Sequence, residues 1–357
     1  MGSVKVMKMR SGSVVDLFCG IGGMTHGFVK EGFRVIAGID ADPTCRYAYE
    51  TNNGEARFLD NYLEDMTSDA IANLYPENGV KILVGCAPCQ PFSRYARRYA
   101  KGEKKDEKWK LVGVFGKLVE DVKPEIVSME NVPELEHHSV FKEFVRTLNS
   151  EGYFVWHDLI NCEDYGVPQT RRRLVLLASK FGEIEIIPKT HRKPRTVANF
   201  IRGLPQIAAG EQDADDPLHL ASGLSDLNLR RIMNTPEGGT WKDWPEELIL
   251  ECHRKESGKS YGSIYGRMWW DKPAPTITTE FHGIGSGRFG HPEQNRAISL
   301  REGALLQTFP RYYRFIENED DLIIDTLARH IGNAVPVRLG KIIARSIRNH
   351  LQSYQVS

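Results

Sequence analysis

No apolar run in this 357-residue chain approaches the ~20 residues that a membrane-spanning helix needs. The opening stretch, MGSVKVMKMRSGS, has no apolar core of the signal-peptide kind, and Val6 does not suit a myristoylation signal. Cysteine is scarce, at six residues, and without a leader these are expected as reduced thiols in a cytoplasmic setting. The chain also lacks a charge imbalance. Its 47 Lys and Arg balance 47 Asp and Glu, which neither suggests nor excludes a nucleic acid partner. Neither an internal repeat nor a low-complexity tract interrupts it, and 41% hydrophobic with 26% charged residues excludes wholesale disorder.

What is present suits one large or two moderate domains. SVVDLF (13–18) reads as a buried strand, and CGIGG (19–23) turns into a helix over 24–31. FRVIAGID (33–40), KILVGC (81–86), PEIVSME (124–130) and RLVLLAS (173–179) read as further strands, with helices over 43–52 and 140–152. Strands alternating with helices imply an α/β fold with a doubly wound, mostly parallel sheet, in which ligands sit at the carboxyl ends of strands. The rhythm breaks over 189–296, which is rich in Gly, Pro, Trp and charge, and helical periodicity returns at 299–309 and 335–351. This pattern predicts a catalytic domain over 1–188, a smaller irregular domain over 189–296, and a segment over 297–357 that completes the first.

The motifs fall at strand ends. FCGIGG follows a strand and opens a helix, so backbone amides can approach a ligand; Thr25 stands where a dinucleotide fingerprint needs its last glycine. Asp40 ends the next strand, where an acid can accept from ribose hydroxyls. VGCAPCQPFS (84–93) contains Cys86 and Cys89. A redox pair needs its first cysteine at a helix N-terminus, and a zinc site needs a second pair of ligands, whereas Cys19, Cys45, Cys162 and Cys252 stand singly. One nucleophile fits better: Cys86 as a packed strand-end residue, and Cys89 on the turn before basic residues that lower a thiol pKa. MENVP (129–133) and QTRRR (169–173) follow, then LQTFP (306–310) and GNAVP (332–336).

In this order and spacing the motifs resemble those of the cytosine-C5 DNA methyltransferases, over nearly everything from Val14 to Leu339. The resemblance implies the fold of the class I S-adenosylmethionine-dependent methyltransferases and S-adenosylmethionine as cofactor, with no metal. It places Phe18, Gly20, Ile21, Gly23, Asp40, Ala41, Asp65, Met66, Pro88 and Asn333 around that cofactor. Cys89 is then the thiolate that adds to C6 of cytosine, Glu130 the group at N3, Arg173 the donor to O2, and Arg171 an electrostatic support. The target base must leave the duplex, with Gln90 and Ser93 near it and the basic loop 91–110 as a lid. The 189–296 region takes the place of the target recognition domain, and Arg267 and Arg288 are its candidate readers of base edges.

Two rivals share this core: a tRNA cytosine-5 methyltransferase and an inactive DNA-binding regulator. The first typically has a Cys-Phe-Thr signature, whereas here His253 follows Cys252; the second usually lacks the nucleophile or the glutamate. The expected partner is double-stranded DNA, bound by a monomeric, prokaryotic-type cytoplasmic enzyme with no membrane contact. A cognate restriction endonuclease is a further expected counterpart.

Overall fold

The computed structural model describes residues 12–88, 110–256 and 262–354. Seven strands form one sheet in the order β3-β2-β1-β4-β5-β7-β6. They are β1 (Gly12–Leu17), β2 (Arg34–Asp40), β3 (Arg57–Asp60), β4 (Val80–Gly85), β5 (Ile126–Asn131), β6 (Phe154–Asn161) and β7 (Arg172–Ser179). All six residues of β1 and all six of β5 are buried, as strands covered on both faces must be. Pairings β1–β2, β1–β4, β2–β3 and β4–β5 are parallel. The chain order reverses between β1 and β4, which makes the switch point where such sheets hold ligands.

β7 departs from the expected pattern: it runs antiparallel to β5, with Glu130 opposite Val175 and Asn131 opposite Leu174. The beginning of β7 therefore lies beside the end of β5. That reversal brings Arg172 and Arg173 to the same edge as Glu130 and Asn131, which a parallel strand would not do.

The division by internal contacts gives a first unit of Met1–Ile160, Arg172–Pro188 and Leu339–Ser357, and a second of Asn161–Arg171 and Lys189–Arg338. These borders differ from those read in the sequence, because 161–171 and 297–338 pack with the irregular region.

In the first unit, helix Lys110–Val122 packs on helix Ser139–Ser150, with Phe115 and Phe144 rings 5.3 Å apart over a core of Val15, Leu83, Val127 and Leu174. Burial of each such ring stabilises the fold by about 2–3 kcal/mol. The last helix, Val337–Ser353, is fitted to helix Gly23–Lys30 at Gly340, where a Cβ would stand 2.9 Å from the Met24 Cα. The Glu31 side chain is 2% exposed and receives Arg345 Nη2 at 2.8 Å and Arg348 Nη2 at 2.7 Å, so buried charge is matched by charge.

The second unit buries apolar side chains such as Phe281, Leu300, Leu306, Phe309 and Tyr313, beside small clusters of Ile232 with Ile284 and Ala297, and of Trp241 with Trp244 and Leu248. Buried polar side chains add to this packing. Arg296 is fully buried and forms a two-pronged bond to Glu302, at 2.7 and 2.8 Å. Burial pushes the Glu302 carboxyl up, but the hydrogen bonds and charge of Arg296 outweigh it and hold the group at about 2. Gln307, also buried, donates to the carbonyls of Ile331 and Ala334, while Gln169 donates to Leu306 and accepts from the Ile277 amide. LQTFP, GNAVP and QTRRR are thus joined through two glutamines.

Candidate active site

The glycine turn after β1 is made of left-handed backbone. Phe18 has φ +58° and Gly20 φ +50°. For phenylalanine that conformation costs roughly 1–2 kcal/mol, a strain that the surrounding packing must hold. The Gly20 amide donates to Asp40 Oδ2 at 2.8 Å and the Asp42 amide to Oδ1 at 3.0 Å, so the carboxylate at the end of β2 is fixed by main chain. It keeps acceptor capacity beyond those two bonds. A Cβ placed on Gly20 would meet no atom within 4 Å, so the turn borders open space beside Asp40. Ile21 and Gly23 are buried, while Phe18, Ala41 and Pro88 are half-buried. Asp65 is exposed at the end of the 3-10 turn Leu63–Asp65, and Met66 packs partly against the core.

Behind that turn lies Asp16, fully buried and accepting from Thr25 Oγ1 at 2.6 Å. Burial raises its carboxyl to about 7, with the nearby Asp40 charge adding to the effect and the Thr25 bond opposing it. Cys19 is likewise pushed well up by burial, which makes it an inert thiol.

At the end of β5, Glu130 has its side chain 2% exposed, with Arg173 Nε 3.0 Å from Oε1. Arg173 Nη1 donates back to the Arg172 carbonyl at 2.7 Å, which fixes the plane of the guanidinium. Asn131 Nδ2 donates to the Ala87 carbonyl at 2.8 Å, and so pins the turn that leads into Pro88. Cys86 differs from the packed thiol expected: it is only half-buried, and its Sγ donates to Glu130 Oε2 at 2.8 Å. Gly85 and Met129 are register partners of β4 and β5, so the next residue on each strand meets the other.

Cys89, Gln90, Ser93 and the basic loop after them lie outside the described residues. In the second unit, Arg171 is buried and donates from Nη1 to the Ile277 carbonyl at 3.2 Å. Asn333 is exposed at the end of helix Ile324–Asn333.

The two expected readers of base edges are committed elsewhere. Arg267 is 3% exposed and donates to the carbonyls of Thr235 (2.6 Å), Ile232 (2.9 Å), His291 (2.8 Å) and Gln294, and to Asn295 Oδ1. Burial lowers its pKa to about 10. A guanidinium so saturated has no donor left for DNA. Arg288 directs Nη1 to three carbonyls, of Gly238, Gly239 and Arg267, and lies 4.2 Å from the Trp269 ring centroid. A Cβ at Gly266 would stand 3.1 Å from the Arg288 Cγ, so that glycine makes room for the side chain.

Comparison with known proteins agrees with the motif order. The family described as C-5 cytosine-specific DNA methylase matches residues 12–349. The Type II methylase M.HgiDII of Herpetosiphon aurantiacus is 54% identical over 346 residues, covering 96% of both chains. The Type II methyltransferase M1.HphI of Haemophilus parahaemolyticus is 30% identical, covering 93% of this chain and 86% of that one. A solved E. coli structure, titled a putative DNA modification methyltransferase encoded within a prophage, has the same fold. It has a TM-score of 0.67 at 21% identity and covers 96% of this chain and all of that one.

Proposed function

The chain belongs to the C-5 cytosine-specific DNA methylases, and from that premise we propose that it methylates C5 of a flipped-out cytosine in a specific double-stranded DNA sequence, with S-adenosylmethionine as cofactor. The observation that carries this reading is the Glu130–Arg173 pair, a carboxylate and a guanidinium 3.0 Å apart at the carboxyl edge of the sheet. A cytosine ring presents N3 and O2 side by side as acceptors, which Arg173 and a Glu130 carrying a proton could both serve as donors.

The cofactor reading is supported by the open space over Gly20, the strained Phe18 and the fixed Asp40 carboxylate. Phe18, Gly20, Asp40 and Ala41 would hold the nucleoside and amino acid parts, with Asp65, Met66, Pro88 and Asn333 around them. When bound, S-adenosylmethionine supplies an electrophilic sulfonium methyl group.

The protein's part is to make C5 nucleophilic. Addition of the Cys89 thiolate at C6 breaks the aromatic 5,6-bond and moves its electron pair toward C5 and N3. Glu130 meets the charge that gathers at N3, by a proton or a strong hydrogen bond, and Arg173 holds O2. Loss of the C5 proton then expels Cys89 and restores the ring. Arg171 adds positive charge in support, and Gln90 and Ser93 adjoin the base. Target recognition is assigned to residues 189–296, and a cognate restriction endonuclease is suggested by the Type II names of the relatives.

Bisulfite sequencing of plasmid DNA from cells that express the protein tests the activity and reveals the site. DNA carrying 5-fluorocytosine at that site should trap a covalent adduct, because fluorine cannot leave as a proton does. Cys89→Ser should abolish both methylation and trapping while DNA binding persists. Full methylation by Cys89→Ser would overturn the covalent mechanism.

A further inference from the structure

The thiol three residues before the nucleophile has a place that a packing residue does not need. Cys86 is half-buried, its Sγ lies 2.8 Å from Glu130 Oε2, and Arg173 Nε lies 3.0 Å from Glu130 Oε1. One thiol and one guanidinium therefore address the two oxygens of one buried carboxylate. Arg173 lies on β7 and Cys86 directly follows the last residue of β4, the two strands that flank β5, so strand register brings both beside Glu130.

We propose that Cys86 is a positioning residue for Glu130: its S–H bond fixes the carboxyl plane. Arg173 alone leaves the carboxylate free to rotate about its last torsion, since one oxygen anchors only an axis. The second bond, on the opposite oxygen, removes that freedom and presents an edge of fixed direction to the base. Among the described residues, Cys86 and Arg173 are the titratable groups seen in direct contact with Glu130. No bond is made or broken at Cys86, so it needs no oxidant or co-reactant.

This rests on the reading of Glu130 as the N3 partner, and the test separates the two. Single-turnover methylation is measured across pH, under reducing conditions, for the wild type, Cys86→Ala, Cys86→Ser, Glu130→Gln and the Cys86→Ala/Glu130→Gln double variant. Loss of one hydrogen bond to a charged group corresponds to about tenfold in rate. Cys86→Ala is expected to slow the step by about that factor. Cys86→Ser, which keeps a donor, should recover the rate, and Cys86→Ala should add little in the Glu130→Gln background. An unchanged rate in Cys86→Ala would overturn the proposal, as would a loss that Cys86→Ser does not recover or that persists in full in the Glu130→Gln background, the sign of a packing role. If Glu130→Gln itself keeps the wild-type rate, the N3 assignment fails and this inference with it. If Glu130→Gln is impaired while Cys86→Ala is not, the positioning role alone fails.

Discussion

Arg173 and Arg267 are both largely buried guanidiniums, yet their surroundings are opposite in kind. Arg173 faces a side-chain carboxylate, whose bond a substrate could exchange for its own polar edge. Arg267 faces a ring of main-chain oxygens that nothing else can satisfy. The same contrast separates two buried carboxylates. Asp16 in the first unit has a hydroxyl partner and sits near another acid, whereas Glu302 in the second is clasped by Arg296. The contrast belongs to these pairs and not to whole units, since Glu31 of the first unit is matched by Arg345 and Arg348 as Glu302 is by Arg296. A carboxylate facing a guanidinium that a substrate can reach is open to chemistry, whereas a clasped one serves the fold.

The largest effect expected from this contrast is at Glu130. Glu130→Gln should lower the single-turnover rate by about 10²–10⁴-fold with little change in thermal unfolding; an unaltered rate would place Glu130 among structural residues. Arg267→Ala should do the reverse. It leaves several buried carbonyls without donors and should destabilise the protein by about 3–5 kcal/mol in urea unfolding. A stable Arg267→Ala protein with altered site preference would restore this arginine as a reader of DNA.

The carboxylates differ in the sign of their pH dependence. Asp16 titrates at about 7 when folded, above its ordinary 3.8, so the folded state holds a proton that the unfolded chain has released. Its contribution is full below about pH 4 and is withdrawn as pH rises through 7, by on the order of 4 kcal/mol at most. Glu302, held at about 2, contributes above its ordinary 4.5 and loses that as pH falls. Urea midpoints between pH 5 and 8 should fall for the wild type and fall less for Asp16→Asn; parallel curves would reject the assignment. The smallest effect concerns Arg288. Arg288→Ala should cost about 1–2 kcal/mol of stability through the lost carbonyl bonds, and leave preference unchanged across a library of flanking bases. A relaxed preference at one position would show that it reads DNA after all.

Much of the first unit was legible because each motif ends an apolar strand, and a run such as VVDL or IVSM announces itself. β3 and β6 were not: one is four residues long, and the other has a single buried position among eight, so neither makes an apolar run. The antiparallel sense of β7 is a pairing property that periodicity does not encode. Cys86 was misjudged for a related reason, since its partner is 44 residues away and becomes visible only once β4 and β5 are placed in register. For Arg267 and Arg288 the sequence left two geometries open, since glycines beside an arginine suit a backbone lying close to DNA or a guanidinium seated against its own chain. A Cβ at Gly238 would strike the Trp269 ring, which supports the second.

The clasp on Glu31 spans 314 residues of sequence. A ribosome adding roughly 5–20 residues per second needs about 15–60 s to travel that distance. For that interval a nascent chain carries the acid that closes its first helix without the guanidiniums that will neutralise it, and the Met24 backbone without the helix that packs on it. The sheet, whose strands end at Ser179, can assemble in that time, but the cover over helix Gly23–Lys30 must await residues 339–353. A chain cut back to Arg338 lacks that cover and should be a substrate for chaperones and proteases rather than a weak enzyme.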